Sequence, residues 1–347
     1  MVKIVVSRKI PDKFYQQLSK LGDVVMWQKS LVPMPKDQFV TALRDADACF
    51  ITLSEQIDAE ILAQSPNLKV IANMAVGYDN IDVESATANN VVVTNTPNVL
   101  TETTAELGFT LMLAIARRIV EAEKYVEADA WQSWGPYLLS GKDVFNSTIG
   151  IYGMGDIGKA FARRLQGFNT NILYHNRSRH KDAEADFNAT YVSFETLLAE
   201  SDFIICTAPL TKETHHKFNA EAFEQMKNDA IFINIGRGQI VDETALIDAL
   251  DNKEILACGL DVLANEPIDH THPLMGRDNV LITPHIGSAS VTTRDNMIQL
   301  CINNIEAVMT NQVPHTPVSY KHLTRGGRHT HNKKNTHPQP PSHTLPH

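Results

Sequence analysis

Three glycines within six residues, Gly153-Met154-Gly155-Asp156-Ile157-Gly158, constrain this chain more than any other feature. They follow an apolar run at 149–152 and precede a helical pattern at 159–165. In that setting Gly153 permits a tight turn and Gly155 lets backbone approach a pyrophosphate. Gly158 lets the helix pack closely on the strand. The free N–H groups and positive end of the helix then face the phosphates. A unit of this kind belongs in a parallel sheet covered by helices on both faces.

The rest of the chain supplies such sheets. Short Val- and Ile-rich runs predict strands at 3–6, 24–27, 48–52, 69–74 and 91–95, with helical patterns between them at 58–63 and 83–89. A second series follows at 148–152, 171–175, 203–207, 230–235, 257–262 and 280–282. With 347 residues, two α/β domains are expected. One long, mostly buried helix over 101–128 joins them, opened by a capping box of Thr103 and Glu106. A last helix over 290–311 returns the chain to the first domain, so two crossings form a hinge. The predicted bounds are 1–100 plus 289–318 for one domain and 101–288 for the other. Residues 319–347 are rich in Pro, Thr, His and Lys and lack apolar periodicity. They read as a disordered or appended tail in preference to a His-rich metal site.

Charge and composition remove several function classes. Lys and Arg number 31 against 40 Asp and Glu, a net charge of −9. The tail holds five basic residues and no acidic ones, so the body is more acidic still, and nucleic acid is not expected as a partner. The longest apolar stretch, 107–116, is too short to span a bilayer, and no secretion signal opens the chain. Cys49, Cys206, Cys258 and Cys301 lie far apart without a CxxC, which argues against a disulfide scaffold or zinc knuckle. A cytoplasmic protein with no metal and no membrane partner is expected.

The strand after the glycine helix selects the cofactor. An acid about 20 residues on would hold a ribose 2′-hydroxyl. Here the sequence reads His175-Asn176-Arg177-Ser178-Arg179. A carboxylate ~4 Å from a 2′-phosphate costs about 4 kcal/mol at an effective dielectric near 20. Two Arg and a Ser would instead bind that phosphate through charge-assisted bonds. NADPH is therefore expected over NADH, with Asp182 keeping an NAD reading open.

Three ionisable residues follow three late strands: Arg237, Glu266 and His285. All three should emerge at the carboxyl edge of the sheet, beside the glycine loop. Arg237 offers a planar fork for a carboxylate and can polarise the neighbouring keto oxygen. His285 can deliver the proton that a forming alkoxide needs. Glu266 can bond the other ring nitrogen, setting the tautomer and favouring imidazolium. The set points to hydride chemistry on a carbonyl acid, the cofactor carrying the hydride.

These motifs, with Asn234-x-Gly236-Arg237-Gly, Asp261-Val-x-x-x-Glu266-Pro and Thr283-Pro-His285-Ile-Gly, resemble the D-isomer-specific 2-hydroxyacid dehydrogenase family as far as about Val318. The resemblance implies two doubly wound parallel-sheet α/β domains. A Rossmann-like NAD(P) domain is inserted in a discontinuous flavodoxin-like substrate domain. It implies reduction of 2-oxo acids to D-2-hydroxy acids, with Arg237, Glu266 and His285 as the catalytic set. Val76 and Gly77, in Ala75-Val-Gly-Tyr-Asp79, resemble the loop whose amides hold the substrate carboxylate. Thr104 resembles a cofactor-contacting position, Ala208-Pro209 the adenosine side, and Asp261 the acid that bonds the nicotinamide amide. Ser288 lies beside it on the substrate side, and Met154, Asp156, Ile157, Ile235 and Gly236 complete the implied cofactor contacts. Trp131-x-x-Trp134-x-Pro136 is similar to the glyoxylate/hydroxypyruvate reductase branch, in which a Trp reaches the partner subunit's site, so a homodimer is expected. The alternatives are an NAD-linked D-lactate or phosphoglycerate dehydrogenase, or a nucleotide-sensing interaction protein on the same scaffold.

Overall fold

The computed structural model describes residues 1–318, so the tail at 319–347 lies outside the described residues. Two parallel sheets organise the chain. The first contains β1 (Lys3–Val6), β2 (Asp23–Met26), β3 (Ala48–Ile51), β4 (Val70–Asn73) and β5 (Val92–Thr94), in the order β2-β1-β3-β4-β5. The second contains β6 (Thr148–Tyr152), β7 (Asn171–His175), β8 (Thr190–Tyr191), β9 (Phe203–Cys206), β10 (Ile231–Asn234), β11 (Ala257–Leu260) and β12 (Val280–Ile282). Its order is β12-β11-β10-β9-β6-β7-β8. The order of the second sheet reverses at β6, where Ile149 is in register with Phe203 on one side and Ile172 on the other. A reversal of this kind opens a crevice beyond the carboxyl ends of the strands.

Burial on both faces explains the apolar runs. Every residue of β3, β4, β9, β10 and β11 is buried, as a helix-covered parallel sheet requires. Helix Thr101–Ala116 sets Leu111, Met112 and Ile115 into the core of the second sheet, against Ile149, Ile151 and Ile233. Helix Val291–Met309 sets Met297, Ile298, Cys301, Ile302 and Ile305 against Ile4, Val6, Phe50 and Val70 of the first. The chain then reaches β5, where Val318 N–H donates to the Val93 carbonyl at 2.8 Å.

The 101–128 segment departs from the sequence expectation. It forms two helices, Thr101–Ala116 and Ile119–Glu127, broken at Arg118, whose φ of 54° is left-handed. The first helix is capped from a distance in sequence: Lys142 N–H donates to the Ala116 carbonyl at 2.8 Å. The second helix buries none of its residues, so the segment is not buried throughout. The capping box is not formed either. The helix starts at Thr101, and the Thr103 hydroxyl instead meets that of Thr293 at 2.6 Å. The two-residue edge strand β8 was not anticipated.

The four cysteines are free and buried, and burial pushes the Cys206 and Cys258 thiols up to about 12. Among the described residues no helix is long and apolar enough to cross a membrane.

Candidate active site

The glycine loop leaves β6 at Gly153, whose φ of 104° is a left-handed conformation that L side chains rarely adopt. A Cβ there would stand 2.6 Å from the Ala208 nitrogen, and one at Gly158 would stand 2.4 Å from the Gly153 carbonyl oxygen. A Cβ at Gly155 would meet nothing within 4 Å. That open space continues into a cavity walled here by Gly155, Asp156 and Ile157 at the start of helix Asp156–Arg164. Backbone amides at a helix start, bordering open space with no side chain between, fit a pyrophosphate. The Met154 side chain is fully buried in the core of the second sheet and lies outside the cavity wall, which leaves its backbone as the part that could meet a cofactor.

At the end of β7 the expectation of two Arg narrows to one. Arg177 is exposed, lines the cavity and forms no ion pair among the described residues. Arg179 is engaged elsewhere: its Nη2 lies 2.7 Å from Glu184 Oε2. The Arg179 guanidinium and the Tyr174 hydroxyl together hold the Glu184 carboxyl down at about 2. Asp182, the acid that kept NAD open, is paired with Lys159. Asn176 and Ser178 lie outside the cavity wall, and the Asn176 carbonyl accepts the Tyr191 hydroxyl at 3.1 Å. Ala208 and Pro209 face the cavity after β9.

The late strands bring the ionisable residues to the same edge. Beyond β10, the Asn234 side chain clamps its own loop, accepting from Gly236 N–H and donating to the Arg237 carbonyl, both at 3.0 Å. Ile235, Gly236 and Arg237 line the cavity. Arg237 Nη1 donates to the Gly236 carbonyl at 2.9 Å, and its Nε lies 3.1 Å from Asp79 Oδ1. A Cβ at Gly77 would stand 1.9 Å from Arg237 Nη2, so only glycine lets that guanidinium reach the first-domain loop. Gly238 locks this loop to the next one, since a Cβ there would stand 1.8 Å from the Leu263 carbonyl carbon.

Beyond β11, Asp261 is buried and accepts from Thr283 Oγ1 at 2.7 Å and from the Ile286 and Gly287 N–H groups at 2.8 Å each. Burial pushes its carboxyl up against those bonds. Glu266 Oε1 accepts the Leu263 N–H at 2.9 Å, and Oε2 lies 2.8 Å from His285 Nδ1. Burial alone would raise the Glu266 carboxyl. The His285 hydrogen bond and charge, the Leu263 amide and Arg237 together hold it below its ordinary value. His285 follows β12 in a left-handed conformation, φ 54°, and lines the cavity. With Nδ1 engaged by Glu266, Nε2 makes no hydrogen bond among the described residues. Glu266 stands behind His285, outside the cavity wall.

The first-domain loop closes the opposite side. Val76 and Gly77 line the cavity, and their N–H groups have no acceptor among the described residues. Two asparagines that the sequence reading missed set this geometry. Asn95 Nδ2 donates to the Val76 carbonyl at 2.8 Å, and Asn73 Nδ2 to that of Gly77 at 2.9 Å. With the carbonyls held back, the amides are left for a ligand. A second missed pair, Glu243 and His272, joins Oε1 to Nε2 at 2.9 Å, and Glu243 Oε2 accepts the Ala264 N–H at 3.2 Å. It thereby braces the loop that carries Glu266. Thr104 and Ser288 line the cavity, whereas Trp134 lies on the outer surface, 81% exposed.

The cavity between the two sheets measures about 690 Å³, within the range of cofactor and small-ligand sites. Among the described residues no cluster of three His, Cys, Asp or Glu is placed to hold a metal ion.

Comparison with known proteins agrees with this architecture. The family model "D-isomer specific 2-hydroxyacid dehydrogenase, NAD binding domain" matches residues 109–287. The glyoxylate reductase of Thermococcus onnurineus is 43% identical over 321 residues, covering 91% of this chain and 96% of the relative. Among solved structures, the NADPH-dependent glyoxylate/hydroxypyruvate reductase of Sinorhizobium meliloti, in complex with NADP and malonate, superposes with a TM-score of 0.80 at 33% identity. That match covers 92% of this chain and 97% of the other. The D-lactate dehydrogenase of Aquifex aeolicus, complexed with NAD and lactic acid, gives a TM-score of 0.80 at 25% identity, over 91% and 98% of the two chains. The chain belongs to the D-isomer specific 2-hydroxyacid dehydrogenases and is an NAD(P)-dependent oxidoreductase.

Proposed function

We propose that this protein reduces glyoxylate and similar small 2-oxo acids to D-2-hydroxy acids, with NADPH as the preferred cofactor. The observation that carries the reading is the 2.8 Å contact of Glu266 with His285 at the edge of a cavity that Arg237 also lines. The glyoxylate reductase relatives support the substrate class.

In this reading the substrate carboxylate sits on the free N–H groups of Val76 and Gly77 and on the Arg237 fork. Arg237 also polarises the keto oxygen as negative charge develops there. His285, through Nε2, donates a proton to that oxygen. Glu266 keeps the ring in one orientation through its contact with Nδ1. The nicotinamide group supplies the hydride when bound. Asp261, held by three donors, would take the nicotinamide amide, with Thr104 and Ser288 lining the same cavity. Residues 1–100 with 289–318 would close on residues 101–288 to exclude water.

The unpaired guanidinium of Arg177 supports NADPH. The capture of Arg179 by Glu184 removes one cation from the 2′-phosphate site and favours the second reading, an NAD-linked D-lactate-type dehydrogenase. The homodimer reading rests on the exposed apolar side chains of the 119–145 segment, Ile119, Val126, Trp131, Trp134, Tyr137 and Phe145. Trp134 would reach the partner's cleft from there.

The test is steady-state turnover of several 2-oxo acids with each cofactor. Glyoxylate reduction at a higher kcat/KM with NADPH than with NADH is expected. A clear NADH preference overturns the cofactor assignment. Nucleotide binding without turnover of any 2-oxo acid would favour a sensing protein.

A further inference from the structure

One charged side chain in the cleft has no part in the machinery described so far. Arg294 stands in the first turn of helix Val291–Met309, half-buried, and lines the cavity together with His285 and Arg237. Its guanidinium makes no hydrogen bond and no ion pair among the described residues. The carboxylate that acts on it is Asp261, which already accepts three hydrogen bonds from Thr283, Ile286 and Gly287. A guanidinium carries five N–H donors. On the cavity wall with no acceptor from the described residues, those donors are open to an acceptor that a ligand brings.

The ligand groups already placed leave one candidate. The cofactor phosphates belong at Gly155 and Asp156, across the sheet reversal. The substrate carboxylate and keto oxygen are served by Val76, Gly77, Arg237 and His285. Met297, three residues beyond Arg294 along the same helix, lines the cavity beside it. What is left to meet the guanidinium is the far end of the substrate.

We propose that Arg294 is a specificity-determining residue that binds an oxygen-bearing substituent, hydroxyl or carboxylate, on C3 of the 2-oxo acid. The inference rests on the reductase reading above and names its substrate class: 2-oxo acids polar at C3, ahead of those ending in a methyl group. A site built to hydrogen-bond a substrate group discriminates strongly against the analogue that lacks it.

The experiment compares the unmodified protein with Arg294→Met and Arg294→Lys. The substrates are hydroxypyruvate, oxaloacetate, pyruvate and glyoxylate, which has no C3. Arg294→Met should lower the ratio of kcat/KM for hydroxypyruvate to that for glyoxylate by about tenfold or more. The ratio for oxaloacetate should fall further, because a fork binds a carboxylate in two places. Arg294→Lys should restore part of both ratios. Arg294→Gln serves in the same comparison if the Met variant does not fold. An equal loss on all four substrates, or weaker NADPH binding by fluorescence titration, would overturn the assignment and make Arg294 a cofactor or structural residue. An unmodified protein that reduces none of the four overturns the reductase reading and this inference together. An active protein whose ratios do not change in the variants overturns the inference alone.

Discussion

Arg237 Nε and Asp79 Oδ1 lie 3.1 Å apart, although 158 residues separate them in sequence. The pair joins the loop after β10 to the loop after β4, so the anchor of one lobe is oriented by the other. Charge-assisted bonds of this kind contribute roughly 1.5–3 kcal/mol when well made. Asp79→Asn should leave Arg237 free to swing and lower kcat/KM for glyoxylate by about tenfold, with NADPH binding little changed. Unaltered steady-state kinetics would remove Asp79 from the site.

His285→Ala should lower turnover by about a hundredfold or more, the usual contribution of a placed proton donor. Cofactor binding, measured by fluorescence titration, should persist, because the glycine loop at Gly153–Gly158 does not depend on the imidazole. Near-normal turnover would assign the proton to another group.

Glu266 gives a pH signature. Its folded-state carboxyl is held below the ordinary 4.5, so folding favours the ionised form. That contribution to stability is fully present above the unfolded value and is lost as pH falls through the lower folded value. The Tm gap between the unmodified protein and Glu266→Gln should therefore be constant near neutrality and shrink as the medium is acidified below about pH 4.5. A gap that widens in acid contradicts the assigned direction.

Arg177→Ala separates the two cofactors. Loss of a guanidinium facing the 2′-phosphate should raise KM for NADPH by about tenfold and leave KM for NADH nearly unchanged. A parallel rise for both would place Arg177 against a group that the two cofactors share.

Trp134 and Tyr137 are 81% and 86% exposed. Replacing both with Ser should shift the protein toward monomer in sedimentation at micromolar concentration. The fully folded, still dimeric double variant would put the subunit contact elsewhere.

The sheets were legible because a strand covered on both faces must be apolar along its length. The bounds of β1, β6, β7 and β12 coincide with their Val- and Ile-rich runs. What escaped depends on partners far along the chain. At the break before Arg118 the Ala116 carbonyl is taken by Lys142, a partner that nothing near Ala116 announces. Asn73 and Asn95 act only because β4 and β5 lie side by side and place both amides on one loop. The engagement of Arg179 is different: Glu184 is five residues away, and a local charge reading would have found it. Arg237 and His285 share one cavity because parallel strands deliver their carboxyl ends to a common edge, whereas the Met154 side chain is buried in the core.

The contact of Gly238 with the backbone of Leu263 has a mechanical consequence. The segment bearing the guanidinium and the segment bearing the carboxylate that steers the imidazole cannot drift separately; they move as one jaw. Any bending between lobes would then change the gap to the opposing amides and the Arg237–Asp79 contact, while the Glu266–His285 pair stays within one lobe. Enlarging residue 238 by a single methyl group would wedge that jaw apart and uncouple gripping from protonation, even though no group that touches a ligand had been altered.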